Sequence, residues 1–372
     1  MTNLLRRDPL PVPETPEAFG VWDRRLTVIR RTAIAVWVAT VMYRTATAGV
    51  AFNREWLIVY IATGLAAASI GRRKVLLVIR DWLPFALVLV AYDLSRGAAT
   101  LVGTPTLWHP QVDAERWLFF GVVPTVWLQE HLKLPEPPWW EVILSGVYMS
   151  FFVFPYLVAG LLWLRNREDW KAFARRFVAL SFAALAIYIV MPAAPPWAAA
   201  LCTAGEVSSG PSNPACIFGP PRPVPDGGLL GAMQFAQPGA NGFVERISTR
   251  GWGTLNLHSA KALIDSGQAS VNLVAAIPSL HAGVTAMVAI FLWRRVQLRW
   301  RPVLAAYVLV MAFALVYAAE HYVVDILLGW ALAGVVLFAV SRYETRRRDV
   351  KATKAVPAED PTVESAAGVQ AA

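Results

Sequence analysis

Charged side chains are scarce in this chain. Asp, Glu, Lys and Arg make up 16% of its 372 residues, where a soluble domain carries about 25%. That shortage, with a hydrophobic share of 56% and 16 tryptophans, excludes an ordinary soluble fold. Acidic residues are the scarcer sign, 25 against 34 Lys and Arg, for a formal net charge of +9. The excess does not imply a nucleic-acid partner. The basic residues stand at the ends of apolar runs, where the positive-inside bias of membrane proteins puts them. Cysteine is limited to two and histidine to five, and neither falls at zinc-ligand spacing. No Walker-type glycine loop and no internal repeat occurs. No metal and no cofactor is therefore expected. Residues 1–31 are Pro-rich and charged and lack a short apolar core ahead of a small-residue cleavage site, so they do not read as a signal peptide. They read as a disordered cytoplasmic tail with a short interfacial helix near Phe19–Ile29.

What is present is a succession of apolar runs long enough for helices to cross a bilayer. Eight crossings are expected, at residues 32–52, 56–70, 82–101, 139–163, 177–191, 282–293, 303–319 and 326–340. The fold class is all-α, a polytopic membrane helix bundle. The basic segments 24–31, 71–74, 165–176, 294–301 and 342–354 then share one side, which the charge bias makes the cytoplasm. Both termini are expected there, in a multi-pass protein of the plasma membrane. Residues 104–138 do not make a clean crossing. They mix Glu115, Arg116, Glu130 and Lys133 with Trp108, Trp117 and Trp127, as a helix lying in the interface does. The domain reading is a tail at 1–31, N-terminal crossings and the interfacial segment at 32–138, a membrane core at 139–342 with an external loop at 192–270, and a disordered cytoplasmic tail at 343–372. Arg44 inside the first crossing reads as a snorkelling or paired residue, with a role in the protein interior as the alternative.

Two histidine clusters stand out. Pro278-Ser279-Leu280-His281 precedes one apolar run, and Glu320-His321-Tyr322-Val323-Val324-Asp325 precedes another, with the basic patch 294–301 between them. Two crossings of roughly twenty residues each return the chain to its starting face, so both clusters face the side opposite the patch. His321 and Asp325 are spaced i, i+4 and share a helix face if the helix begins by His321. A carboxylate there can hold one imidazole nitrogen and leave the other to attack. Pro278 suits the first helical position. The open N–H groups of that helix end, with the Ser279 hydroxyl, suit an anion such as phosphate. His281 would protonate the leaving oxygen.

These two clusters resemble the second and third motifs of the type 2 phosphatidic acid phosphatase superfamily. Leu after Ser279, and the His-Tyr-x-x-Asp form of His321 to Asp325, look most like its inositol phosphorylceramide synthase branch. The resemblance covers about residues 140–340. It implies a six-helix core, a lipid phosphate or phosphodiester as substrate at the extracytoplasmic face, His321 as nucleophile through a phosphohistidine, Asp325 as its partner and His281 as the acid. The chain departs from the superfamily at its usual cations. Ala184 and Met191 stand where the first motif has Lys and Arg, and Ala314 and Leu315 where the third begins Ser-Arg.

Either other cations clamp the phosphate, or the site is not a phosphate site. Residues 243–264 read as helical, and Arg246 and Arg250 within them are i, i+4; they are the first choice, because guanidinium suits bidentate phosphate contact. Arg96, which could instead pair with Asp93, and Lys261 are the further candidates. Cys202 and Cys216 lie in the external loop as a candidate disulfide, with two unpaired thiols as the alternative. Three functions stay open at this point: a lipid phosphatase, a transferase passing a phospho-headgroup to an alcohol, and a non-catalytic transporter or lipid-binding protein in which the histidines are buried polar residues. The partners are the bilayer and a membrane lipid substrate. The sequence is silent on oligomeric state.

Overall fold

The computed structural model describes residues 20–48, 54–72, 75–95, 102–208, 214–218, 222–253 and 273–355. Its described elements are helices, with no β-strand among them. Five described helices contain stretches long and apolar enough to cross a membrane: Arg24–Thr45, Trp139–Arg165, Arg167–Val190, Leu298–Tyr317 and Val323–Val350. Two shorter apolar helices cover Trp56–Ser69 and Leu280–Trp293. The remaining expected crossing falls on a helix at Leu76–Ser95 that carries Arg80, Asp81 and Asp93. The all-α membrane bundle expected from the hydropathy is the observed fold class.

The chain divides into two compact units. The first takes in residues 1–101, 136–170 and 247–273. It holds α1 (Gly20–Ala48), α2 (Arg54–Ser69), α3 (Leu76–Ser95) and α6 (Trp139–Arg165). Helix α1 takes in residues 20–31, where the sequence expects a tail with a short helix near Phe19–Ile29; the helix there is continuous with the first apolar run. Arg44 is exposed on α1, its guanidinium 5.4 Å from the ring centroid of Trp56. Asp81 is buried and accepts from Trp163 Nε1 at 2.9 Å and from the Arg167 guanidinium. A charge that deep is tolerated because it is both paired and hydrogen-bonded.

The second unit takes in residues 102–135, 171–246 and 274–372. It opens with two short helices, α4 (Pro110–Leu118) and α5 (Pro124–Leu132), each with proline in its first turn, where the missing N–H costs nothing. Between them Phe120 adopts φ 54° and is 97% exposed; with the exposed Trp117 it makes an apolar tip of the kind that lies in a membrane interface. Helix α7 (Arg167–Val190) joins this unit from Lys171 onward. Then come the short α8 (Pro196–Leu201) and α9 (Ala204–Ser208), and Cys202 is bridged to Cys216. The unit closes with α11 (Leu280–Trp293), α12 (Arg301–Tyr317) and α13 (Val323–Ala355). Helix α13 runs through residues 343–355, which the sequence assigns to a disordered tail; Arg175 and Arg176 fix that extension through Glu344.

Residues 243–249 are not helical, against expectation; of the described part of 243–264 only the turn α10 (Arg250–Gly253) is. Side chains from the α5 region take the backbone groups a helix would need. Gln129 donates to Glu245 O and accepts from Glu245 N, and Lys133 Nζ donates to Phe243 O at 2.6 Å. Lys133 is itself 1% exposed and bonded to Glu245 Oε2 at 2.9 Å.

Candidate active site

Two glycines decide how α11 meets α13. A Cβ on Gly329 would stand 2.3 Å from Ser279 O, and one on Gly283 would stand 3.0 Å from Gly329 O. The two backbones therefore touch, as small residues allow between membrane helices. Ser279 N also donates to Asp325 O at 2.9 Å. This contact brings the two histidine clusters of the sequence to one place. The His281 and His321 ring centroids are 5.6 Å apart.

Helix α11 begins at Leu280, not at Pro278. Ser279 is its N-cap, with Oγ accepting from Ala282 N at 3.3 Å. Pro278 precedes the cap, and its carbonyl accepts from the buried Tyr188 hydroxyl at 2.7 Å. A serine ahead of an apolar run is a stronger start signal than proline, and here it wins. The fully buried Ser279 side chain serves the cap.

Helix α13 likewise begins two residues later than the i, i+4 argument assumed. The turn before it explains this. Helix α12 stops at Tyr317, Ala319 takes φ 61°, and the N–H groups of Glu320 and His321 both return to Leu315 O. That closure of the last carbonyls with a left-handed residue is a helix C-cap, and it places His321 in the turn. Asp325, at the third helical position, reaches back with Oδ2 to Tyr322 N at 2.9 Å, the carboxylate half of a capping box. The same oxygen lies 3.5 Å from His321 Nδ1. Asp325 is 0% and His321 6% exposed, while His281 is half-buried.

The cations divide. Arg246 grips Glu320 with two bonds, Nε to Oε1 at 2.8 Å and Nη2 to Oε2 at 3.0 Å, and its guanidinium lies 5.0 Å from the Trp197 ring centroid. Glu320 immediately precedes His321. Arg250 belongs to the first unit, where Nε and Nη2 both bond the buried Glu141 carboxylate. Since 243–249 is not helical, the two arginines do not share a helix face. Arg96 and Lys261 lie outside the described residues.

One residue of this region was not singled out from the sequence. Glu115 on α4 is 0% exposed, and its Oε1 accepts the N–H of Val323 at the start of α13. Burial pushes its carboxyl up to about 7, opposed by the N–H groups of Val323 and Val324 and reinforced by the charge on Asp325. The partners are 208 positions apart in the chain, and no local pattern signals such a cap. Among the described residues no group of three or more His, Cys, Asp or Glu is placed to hold a metal ion.

A family model described as the PAP2 superfamily matches residues 111–339. No curated protein and no solved structure matches the chain. The matched span runs from within α4 to within α13 and contains both histidines, Asp325 and Glu115.

Proposed function

The chain belongs to the PAP2 superfamily, a helical membrane fold of phosphatases and phosphotransferases, and on that premise we propose that it transfers the phosphoryl group of a lipid phosphate or phosphodiester through a phosphohistidine on His321. The observation that carries this reading is the contact of His321 Nδ1 with Asp325 Oδ2 at 3.5 Å, with His281 facing the same imidazole. With Nδ1 turned to the carboxylate, Nε2 is the nitrogen left to attack. In the first step the Nε2–P bond forms, the P–O bond to the lipid breaks, and His281 gives its proton to the departing oxygen. In the second, water or an alcohol gives a proton to His281, its oxygen bonds phosphorus, and the N–P bond breaks. Splitting one displacement into two is the general gain of a covalent nucleophile.

Arg246 is the cation we assign to the phosphate, because Glu320 holds it beside His321. A substrate phosphate offers the same fork of acceptor oxygens as the Glu320 carboxylate. The reaction face we assign is extracytoplasmic, with both termini in the cytoplasm and the plasma membrane as the site. The Cys202–Cys216 bridge, in the segment between the C-terminal end of α7 and the N-terminal end of α11, suits an oxidising compartment. The basic stretch after Trp293 suits the opposite side.

A transferase like inositol phosphorylceramide synthase would use the same first step and differ only in the acceptor. Purified protein given a panel of lipid phosphates and phosphodiesters, with and without a polar alcohol acceptor, tests the function. Release of phosphate or of a headgroup-transfer product is expected. No product from any substrate would leave a binding or transport protein as the better reading.

A further inference from the structure

Glu115 is more than a helix cap should need. Helix α13 could be capped locally by Ser, Thr, Asn or Asp at position 322, yet that position is Tyr322, and the acceptor comes from a separate helix. The result is two carboxylates, Glu115 and Asp325, both 0% exposed, on the first N–H groups of one helix. Each uses one oxygen. Glu115 Oε2 and Asp325 Oδ1 are buried without a hydrogen-bond partner among the described residues. Two buried carboxylates in each other's field do not both ionise freely. The titratable and charged groups around Glu115 are Asp325 and Tyr322 from the α13 side and Arg116 on its own helix, whose guanidinium donates to the carbonyls of Leu229 and Leu230; His321 in turn faces Asp325 and His281 and follows Glu320, which Arg246 holds.

We propose that Glu115 is a positioning residue for the His321–Asp325 pair: it pins the first turn of α13 to the interfacial helix α4, and its charge raises the proton affinity of His321 through Asp325. Glu115 touches no reacting atom in this scheme. Ionised, it adds a second negative charge to that of Asp325 and so favours imidazolium. Neutral, it leaves Asp325 as the sole counter-charge and frees His321 to lose its proton at lower pH. A proton on Glu115 thus sets the pH at which the nucleophile becomes available. The catalytic meaning rests on the proposed function; the electrostatic relationship does not.

The test uses the full chain in lipid nanodiscs with isotope-labelled histidine, the His321 ring signals being assigned by their loss in His321→Gln. Glu115→Gln keeps an oxygen for Val323 N–H and removes the charge. The expected result is a fall in the His321 titration midpoint of about half a unit to one unit, the size of an ordinary nearby-charge effect, and an equal shift of the acid limb of kcat/KM to lower pH. An unchanged midpoint and an unchanged limb in folded Glu115→Gln would reduce Glu115 to a cap and overturn the proposal. Infrared titration should show a protonated-carboxyl band that vanishes as pH rises through about 7 and that is missing in Glu115→Gln; a wild-type protein without that band would also overturn the proposal. Neither spectroscopic readout needs turnover. Wild-type protein that transfers no phosphate would therefore count against the proposed function, while the histidine titration still decides the role of Glu115.

Discussion

Asp325 Oδ2 lies 3.5 Å from His321 Nδ1 although the helix that carries Asp325 begins only at Val323. The two side chains meet because the turn through Ala319 sets His321 against the first turn of α13, not because they share a helix face. Asp325→Asn should therefore leave the turn and the fold in place, since an amide oxygen can still accept from Tyr322 N. It should fail to hold the right tautomer of His321. The expected loss is about 10²–10⁴-fold in kcat with little change in KM. Near-wild-type turnover would mean that Asp325 is only a cap.

The glycine contact makes a second, steric prediction. Gly329→Ala puts a methyl 2.3 Å from Ser279 O, so α11 and α13 must separate. Overpacking of this kind costs about 1–3 kcal/mol, and the move carries His281 away from His321. Gly334→Ala, on the same helix with nothing within 4 Å of the added atom, should be neutral. Thermal unfolding in detergent together with turnover checks both. Equal behaviour of the two variants would remove the contact as the device that assembles the site.

Arg246 separates binding from architecture. If it exchanges Glu320 for the substrate phosphate, Arg246→Lys should raise KM by about ten-fold or more while keeping the charge, because lysine lacks the fork. Glu320→Gln should lower KM, since it releases the guanidinium. A purely structural ion pair would instead give two variants that lose stability together and leave KM alone.

How much of this the sequence disclosed follows from range. The apolar helices are readable because hydropathy is local, and so is the meeting of Pro278–His281 with His321–Asp325, because an even number of expected crossings separates the two clusters. The positions that misled were those governed by distant partners. Residues 243–249 carry a helical pattern, but Gln129 and Lys133 take their backbone groups. Arg250 is taken up by Glu141. Glu115 looked like one more interfacial charge, because the helix it caps begins 208 positions later.

The assigned sidedness has a simple check. Cys202 and Cys216 should resist a membrane-impermeant maleimide on intact cells until reduced, and then label from outside. A cysteine introduced at Arg295, in the basic turn after α11, should label only after permeabilisation. The reverse pattern would put the site on the cytoplasmic face.

The central claim is that His321 carries the phosphoryl group. Turnover of a radiolabelled lipid phosphate, quenched in alkali and mapped by peptide, should find acid-labile phosphate on His321. His321→Ala should abolish both label and turnover, and His281→Ala should keep the label while slowing release of poor leaving groups. Label mapped to another residue, or full activity in His321→Ala, would contradict the account.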